Sequence, residues 1–158
     1  MSTHDLKSSD YAALADFRYQ IRRFLHFSEQ AARRAGVEPQ HHQLMLAIRG
    51  AGSRNGSRIA DLAERLQIQH HSAVELVSRL EEKGLIQRNR SAEDRREVYV
   101  SLTSHGEEVL RELTLHHREE LRSAAPALIA ALRRVNGRAN RRPAKRTAKP
   151  RARAEARR

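Results

Sequence analysis

Apolar positions recur along the first part of the chain at the interval of a helix. From about Ser9 to Ala35, Leu14, Phe17, Ile21, Phe24 and Leu25 follow at short steps, mostly of three and four, which brings them to one face. Gly36 closes this segment, and Pro39 suits the first turn of a second helix carrying Leu44, Met45, Ala47 and Ile48. The stretch from Gly50 to Gly56 breaks the pattern with three glycines. Ser57 then suits the N-cap of a short helix whose Ile59, Leu62, Ala63 and Leu66 share a face. Gln67 to Gln69 make a turn. A further helix, running to about Lys83, turns Ala73, Val74, Val77 and Leu80 inward before Gly84 ends it. Two short helices joined by such a turn form a helix-turn-helix, whose second helix enters the major groove of DNA.

The period then changes to two. Leu85 to Arg90 predicts one strand, and Val98, Val100 and Leu102 alternate with Tyr99, Ser101 and Thr103 in a second. Between them lies a charged loop, Ser91 to Glu97, so the hairpin reads as a wing with a basic tip. Thr103 or Ser104 caps a long final helix, and Ser104 with Glu107 has the spacing of a capping box. Along that helix Leu110, Leu113, His117, Leu121, Leu128 and Leu132 form a stripe, with Pro126 the expected kink. The fold class is therefore mainly α with a small β-hairpin wing. A winged helix-turn-helix, residues 51–103, is flanked by helices in 9–50 and 104–136, and residues 1–8 are expected to be a disordered N-terminus.

Charge adds a third region. Residues 137–158 hold ten Lys/Arg and one acid, Glu155, and no large apolar side chain, whereas the first 136 residues carry a net charge of only +3 out of +12. Such a segment lacks the surface to offset the entropy of ordering, which predicts a disordered basic tail. It either attracts polyanions by releasing their counterions or serves only to solubilise. The absence of cysteine excludes a disulfide framework, a thiolate zinc site and a cysteine redox switch. The longest near-apolar stretch, Ala124 to Leu132, is nine residues with a proline, which predicts no membrane span, and the first ten residues lack the form of a secretory signal. A cytoplasmic, nucleoid-associated protein is the expectation.

The segment from Arg58 to Leu110 resembles the MarR family of bacterial transcription regulators. It combines a LAxxL first helix, a recognition helix ending RLEEKGLI, the wing motif DRR and the VxLTxxG signature opening the next helix, in that order. The resemblance covers residues 9 to 136 and leaves the tail outside. It implies a homodimer held by the first and last helices. Their apolar stripes give a separate reason to expect one, since a lone winged module covers them only in part. Two recognition helices about 34–36 Å apart imply an inverted repeat in double-stranded DNA.

The exposed start of the second helix-turn-helix helix offers Gln69, His70, His71 and Ser72 to base edges. Glu75 departs from the family's pattern and either accepts from a cytosine N4 or pairs with Arg79, the pairing being favoured; Arg79 itself reaches phosphate or stays a solvated charge. In the wing, Asp94, Arg95 and Arg96 match the family's DxR arrangement. There Asp94 orients Arg96 into the minor groove, with Arg95 or Arg90 on the backbone. Ser57 and Arg58 add phosphate contacts at a helix N-terminus.

Nine histidines include the pairs His41/His42, His70/His71 and His116/His117, but adjacent helical residues diverge by about 100° and rarely share a metal. The expectation is no metal and no cofactor, with His117 a hydrogen-bonded interface residue; were a metal bound, His41, His42 or His117 would be its ligands. The resemblance also implies a small aromatic or anionic effector. Five of the six aromatics lie in the first helix, so Arg22, Phe24 and His26 are the candidate ligand-binding residues, the alternative being that these aromatics are core. The chain has no phosphate-binding glycine loop, GxSxG elbow or metal-ligand motif, and no enzyme is expected. The leading expectation is a sequence-specific repressor of nearby genes. An architectural, nucleoid-associated protein dominated by its tail is the alternative.

Overall fold

In the computed structural model, residues 6–53, 56–90 and 98–139 are described. Five helices and three short strands follow in the order α1 (Ser8–Arg34), α2 (Pro39–Gly50), β1 (Ser57–Arg58), α3 (Ile59–Leu66), α4 (His70–Glu82), β2 (Ile86–Arg90), β3 (Val98–Leu102) and α5 (Ser104–Ala139). The wing loop's Asp94, Arg95 and Arg96, and the tail beyond Ala139, lie outside the described residues.

The long helices α1 and α5 pack along each other more extensively than any other pair of helices. His117 of α5 meets Ser28, Phe24 and Phe27 of α1, and the buried side chains of the two helices include the small Ala13, Ala31 and Ala32 of α1 and Ala131 of α5. Several larger apolar residues of the two helices turn outward. Leu14 and Leu25 of the first stripe are exposed, as are Leu121 and Leu132 of the final one, while Leu128 is half-buried, so the stripes are covered only in part within one chain. The helix runs through Pro126 as one element, as the long final helix was expected to. The Arg134–Asp16 ion pair ties α5 to α1 beyond that point.

A second layer holds the winged unit. Its core is one cluster formed by Leu44, Met45 and Ile48 of α2, Leu62 of α3, Leu76, Val77 and Leu80 of α4, Leu85, Ile86 and Val100 of the sheet region, and Leu110 and Leu113 of α5. Burying each large side chain contributes roughly 1.5–3 kcal/mol. Because α2 and the start of α5 enter the same cluster, the winged unit and the long helices share one core. Leu76, which the inward set at 73, 74, 77 and 80 omitted, is buried, and Val74 is only half-buried.

The sheet is antiparallel in the order β1-β3-β2, with Ser57 opposite Val100 and Ile86 opposite Leu102. The strand β1 corrects the sequence reading. Ser57 does not cap α3. It sits in β1, only 6% exposed, and Arg58 occupies the cap position without a side-chain cap bond. A two-residue strand leaves no alternation to detect, so its partner β3 decides it.

Of the two candidate caps for α5, Thr103 is the one used. Its hydroxyl accepts from the Gly106 amide at 3.0 Å and donates to the Gly84 carbonyl at 2.6 Å, tying the helix start to the end of α4. Glu107 does not close a box with Ser104; it pairs with Arg49 of α2 at 3.2 Å. At Gly84, φ is +68°, a conformation that lets the amides of Gly84 and Leu85 return to the carbonyls of Glu81 and Leu80 and so end α4.

Candidate nucleic-acid interface

The turn that presents α4 is made by Gln67 in a left-handed conformation, φ +53°, which ends α3 and lets Gln67 and Ile68 return their amides to Glu64 and Ala63. The apolar faces of α3 and α4 then fix the angle of the pair. Gln69 is the N-cap of α4 with an extended backbone, and Gln69, His70 and His71 are exposed, with Ser72 half-buried. Four neighbouring donors and acceptors therefore stand at the N-terminal end of α4, which in helix-turn-helix proteins is the end directed at a major groove.

Farther along α4, Glu75 and Arg79 form an ion pair, both more than half exposed. This is the favoured one of the two roles set out for Glu75. The pair occupies Arg79, which no longer stands as an isolated charge.

One arrangement was not legible in the sequence. Arg88 of β2 pairs with Glu81, whose other carboxylate oxygen accepts from the Arg88 amide at 3.1 Å. The same guanidinium donates at 2.9 Å to the Ser78 hydroxyl, which itself donates to the Val74 carbonyl at 3.0 Å. Arg88 thereby rivets the hairpin to α4 and sets where the wing leaves the body. Glu81, Ser78 and Arg88 lie on two elements, and no spacing rule connects them. Arg90, at the exposed end of β2, immediately precedes the wing loop. Arg58 is exposed and pairs with Asp61 at 3.1 Å, but the burial of Ser57 removes its hydroxyl from the phosphate-contacting set.

The candidate ligand residues are not brought together as expected. Arg22 and His26 face solvent, and the half-buried Phe24 ring packs edge-on against His117. The clefts in the long-helix region are lined by other residues. One, about 540 Å³, lies between α2 and α5 and has Leu46 and Leu115 with Arg49, Arg111 and Arg118; another, about 600 Å³, lies between α1 and α5 and has Phe27 and Arg34 with Glu112 and Glu120. The concentration of aromatics in α1 was visible in the sequence, but not where α5 would cover them. Among the described residues no group of three His, Asp or Glu side chains is placed to hold a metal. No described helix is long and apolar enough to cross a membrane.

Burial, and then the neighbouring His117, hold His42 down to about 4, and burial followed by Lys83 lowers His41. The folded state thus favours neutral His42, so its contribution is fully present above the unfolded value near 6.5 and is lost as pH falls toward 4. The loss is on the order of 2–3 kcal/mol. Urea midpoints measured between pH 7.5 and 4.5 are expected to fall for the native chain and to flatten in His42→Phe.

A helix-turn-helix with an exposed helix start and an adjoining β-hairpin defines the class: a winged helix-turn-helix protein. Within that class, the pattern described as "MarR family" matches residues 35–97 of this chain. The chain is 30% identical over 78 residues to the HTH-type transcriptional repressor MdtR of Bacillus subtilis (strain 168), covering 49% of this chain and 48% of that protein. The chain thus spans about half the length of the curated relatives it matches. Among solved structures, it is similar in fold to AbsC, a MarR family transcriptional regulator from Streptomyces coelicolor, with a TM-score of 0.66 and 23% identity over 77% of this chain and 82% of that one. It is similar also to a MarR mutant from E. coli complexed with operator DNA, with a TM-score of 0.60 and 16% identity over 78% and 89% of the two chains.

Proposed function

We propose that this chain is a dimeric, sequence-specific DNA-binding transcription regulator, a repressor of nearby genes that occupies an inverted repeat. The observation that carries this reading is the exposed cluster Gln69–His70–His71 at the free end of α4, on a buried scaffold with Arg90 leading into the wing. In it, Gln69 and the two imidazoles read base edges, Arg58 and Arg79 meet phosphates, and Arg96, oriented by Asp94 with Arg95 beside it, enters the minor groove. The outward apolar side chains Tyr11, Leu14 and Leu25 of α1 and Ile129 and Leu132 of α5 support a two-fold dimer, which covers them. The name of the relative MdtR, a transcriptional repressor, and the operator complex of the MarR mutant accord with this.

In this reading the effector belongs in the cleft between α2 and α5, where Leu46 and Leu115 supply an apolar wall and Arg111 and Arg118 supply positive charge beside Glu107 and Glu108. A small aromatic acid suits that lining better than it suits Arg22, Phe24 and His26. The architectural reading makes a different prediction about the tail. Under the reading proposed here, a 1–136 fragment keeps its site preference, binds all sequences about equally less well, and shows a salt slope shallower by up to about 0.9 per tail charge removed. Titrations against specific and scrambled duplexes across salt measure this. Loss of nearly all affinity in the fragment favours a tail-dominated DNA-coating protein instead.

A further inference from the structure

A cavity of about 330 Å³ lies where the end of α2, β1, α3 and β3 meet. Its wall includes Ser53, Ser57, Arg58, Asp61, Arg65 and Tyr99, and it shares no residue with the two clefts of the long-helix region. Two guanidiniums stand there against one carboxylate, with three hydroxyls beside them, and the aliphatic lining is only Ala51 and Leu62. A wall of this kind suits a charged, hydroxylated molecule and offers little to an aromatic ring.

Ser57 is the residue in this wall that the fold leaves unexplained. It is 6% exposed, and its hydroxyl is buried without a hydrogen-bond partner. Leaving a buried hydroxyl unpaired costs stability, and native proteins keep few such groups. Its burial keeps it from a DNA strand, but a small molecule inside the cavity lies beside it. The backbone around it is fixed. Gly56 holds φ +96°, and a Cβ there would come within 2.5 Å of the Val100 carbonyl oxygen, so only glycine lets β1 lie this close to β3. Ser57 then pairs opposite Val100 in the sheet.

The charged groups are arranged for an anion. Asp61 accepts from Arg58, with Nε 3.1 Å from Oδ2 and Nη2 3.4 Å from Oδ1, and so orients that guanidinium. Arg65 follows Asp61 by four residues on α3, is exposed, and forms no ion pair among the described residues. Helix α3 also starts without a side-chain cap, which leaves its first amides to other acceptors. Guanidinium forks match the oxygens of a phosphate, and a group carrying close to two charges balances two arginines better than a carboxylate does.

We propose that this cavity binds a phosphate monoester of a small polyol, of the sugar phosphate class: Arg58 and Arg65 hold the phosphate, and Ser57, Asp61 and Tyr99 meet the hydroxyls. The site goes beyond the DNA-reading role and does not depend on it. A strand phosphate of DNA offers the same oxygens to the two arginines, but it brings no polyol to the buried Ser57 hydroxyl. The experiment separates these two sources.

The full chain is titrated with glycerol 3-phosphate, ribose 5-phosphate and glucose 6-phosphate at one ionic strength, with inorganic phosphate and glucose as controls. Calorimetry reads affinity and amide NMR shifts read location. At least one ester is expected to saturate, with shifts centred on Ser57, Arg65 and Tyr99, and to bind at least about tenfold more tightly than inorganic phosphate. Glucose is expected not to bind. Arg65→Gln is expected to weaken the ester by about tenfold or more. Ser57→Ala is expected to weaken it severalfold yet to unfold at an equal or higher urea concentration, because it removes an unpaired buried hydroxyl. A lower urea midpoint in Ser57→Ala would mean that the hydroxyl already serves the fold, and overturns the proposal. Three esters that fail to saturate overturn it, as does ester binding no tighter than that of inorganic phosphate or unchanged in Arg65→Gln. If the esters fail while Arg65→Gln weakens duplex binding, the arginines hold a DNA strand and the cavity is no polyol phosphate site.

Discussion

Replacing Gln69, His70 and His71 together with alanine is expected to abolish discrimination between a specific duplex and a scrambled one while leaving the fold intact. All three are exposed at the free end of α4, and none supports the core, which on that helix is Ala73, Leu76, Val77 and Leu80. Each well-made base contact contributes about 1–3 kcal/mol of discrimination, so losing even two lowers the specificity ratio by roughly 100-fold. Nonspecific binding at low salt is expected to persist, because Arg58, Arg79, Arg90 and the basic tail remain. Competition titrations with the two duplexes read the ratio directly. A triple variant that keeps its preference would move base reading away from α4.

The second large effect is structural. A Cβ added at Gly106 would lie 1.9 Å from the Leu85 carbonyl oxygen, backbone against backbone. Neither side can give easily: the Leu85 carbonyl also accepts from the Thr103 amide at 3.1 Å, and Thr103 is fixed by its bonds to Gly84 and Gly106. Gly106→Ala is therefore expected to cost at least about 3 kcal/mol, a large share of the ~5–15 kcal/mol that holds a domain of this kind. Gly50→Ala is the control, since nothing lies within 4 Å of a Cβ there. Urea unfolding of both variants makes the comparison. Equal midpoints would mean that α5 does not start against Leu85 as the structure has it.

The glycine also shows what the sequence could and could not disclose. The LTxxG spacing marked Gly106 as part of a signature, but the reason for a glycine there is the Leu85 carbonyl twenty-one residues earlier, a tertiary contact. Helices α1 to α4 were legible because each has an apolar period of its own and a glycine, proline or left-handed turn at an end. The strand β1 was not, since two residues have no period, and so Ser57 was misread as a cap. On the long helices the periodicity identified apolar residues but not which of them would be covered. Ala13, Ala31, Ala32 and Ala131 are buried, and Leu14, Leu25, Leu121 and Leu132 turn outward. At the site, the exposed start of α4 and the Glu75–Arg79 pair follow from helical spacing alone. The Arg88–Glu81–Ser78 group and the His42–His117 stack join residues from different elements, and only the assembled core brings them together.

The central claim is that a pair of recognition helices reads DNA sequence. Its most direct test is to enrich duplexes from a random pool with the full chain and to sequence what is retained. The account predicts a shared motif made of two inverted half-sites whose centres are about one helical turn apart, roughly 10–10.5 base pairs. Retained duplexes with no common motif, bound equally well as scrambled DNA, would contradict it.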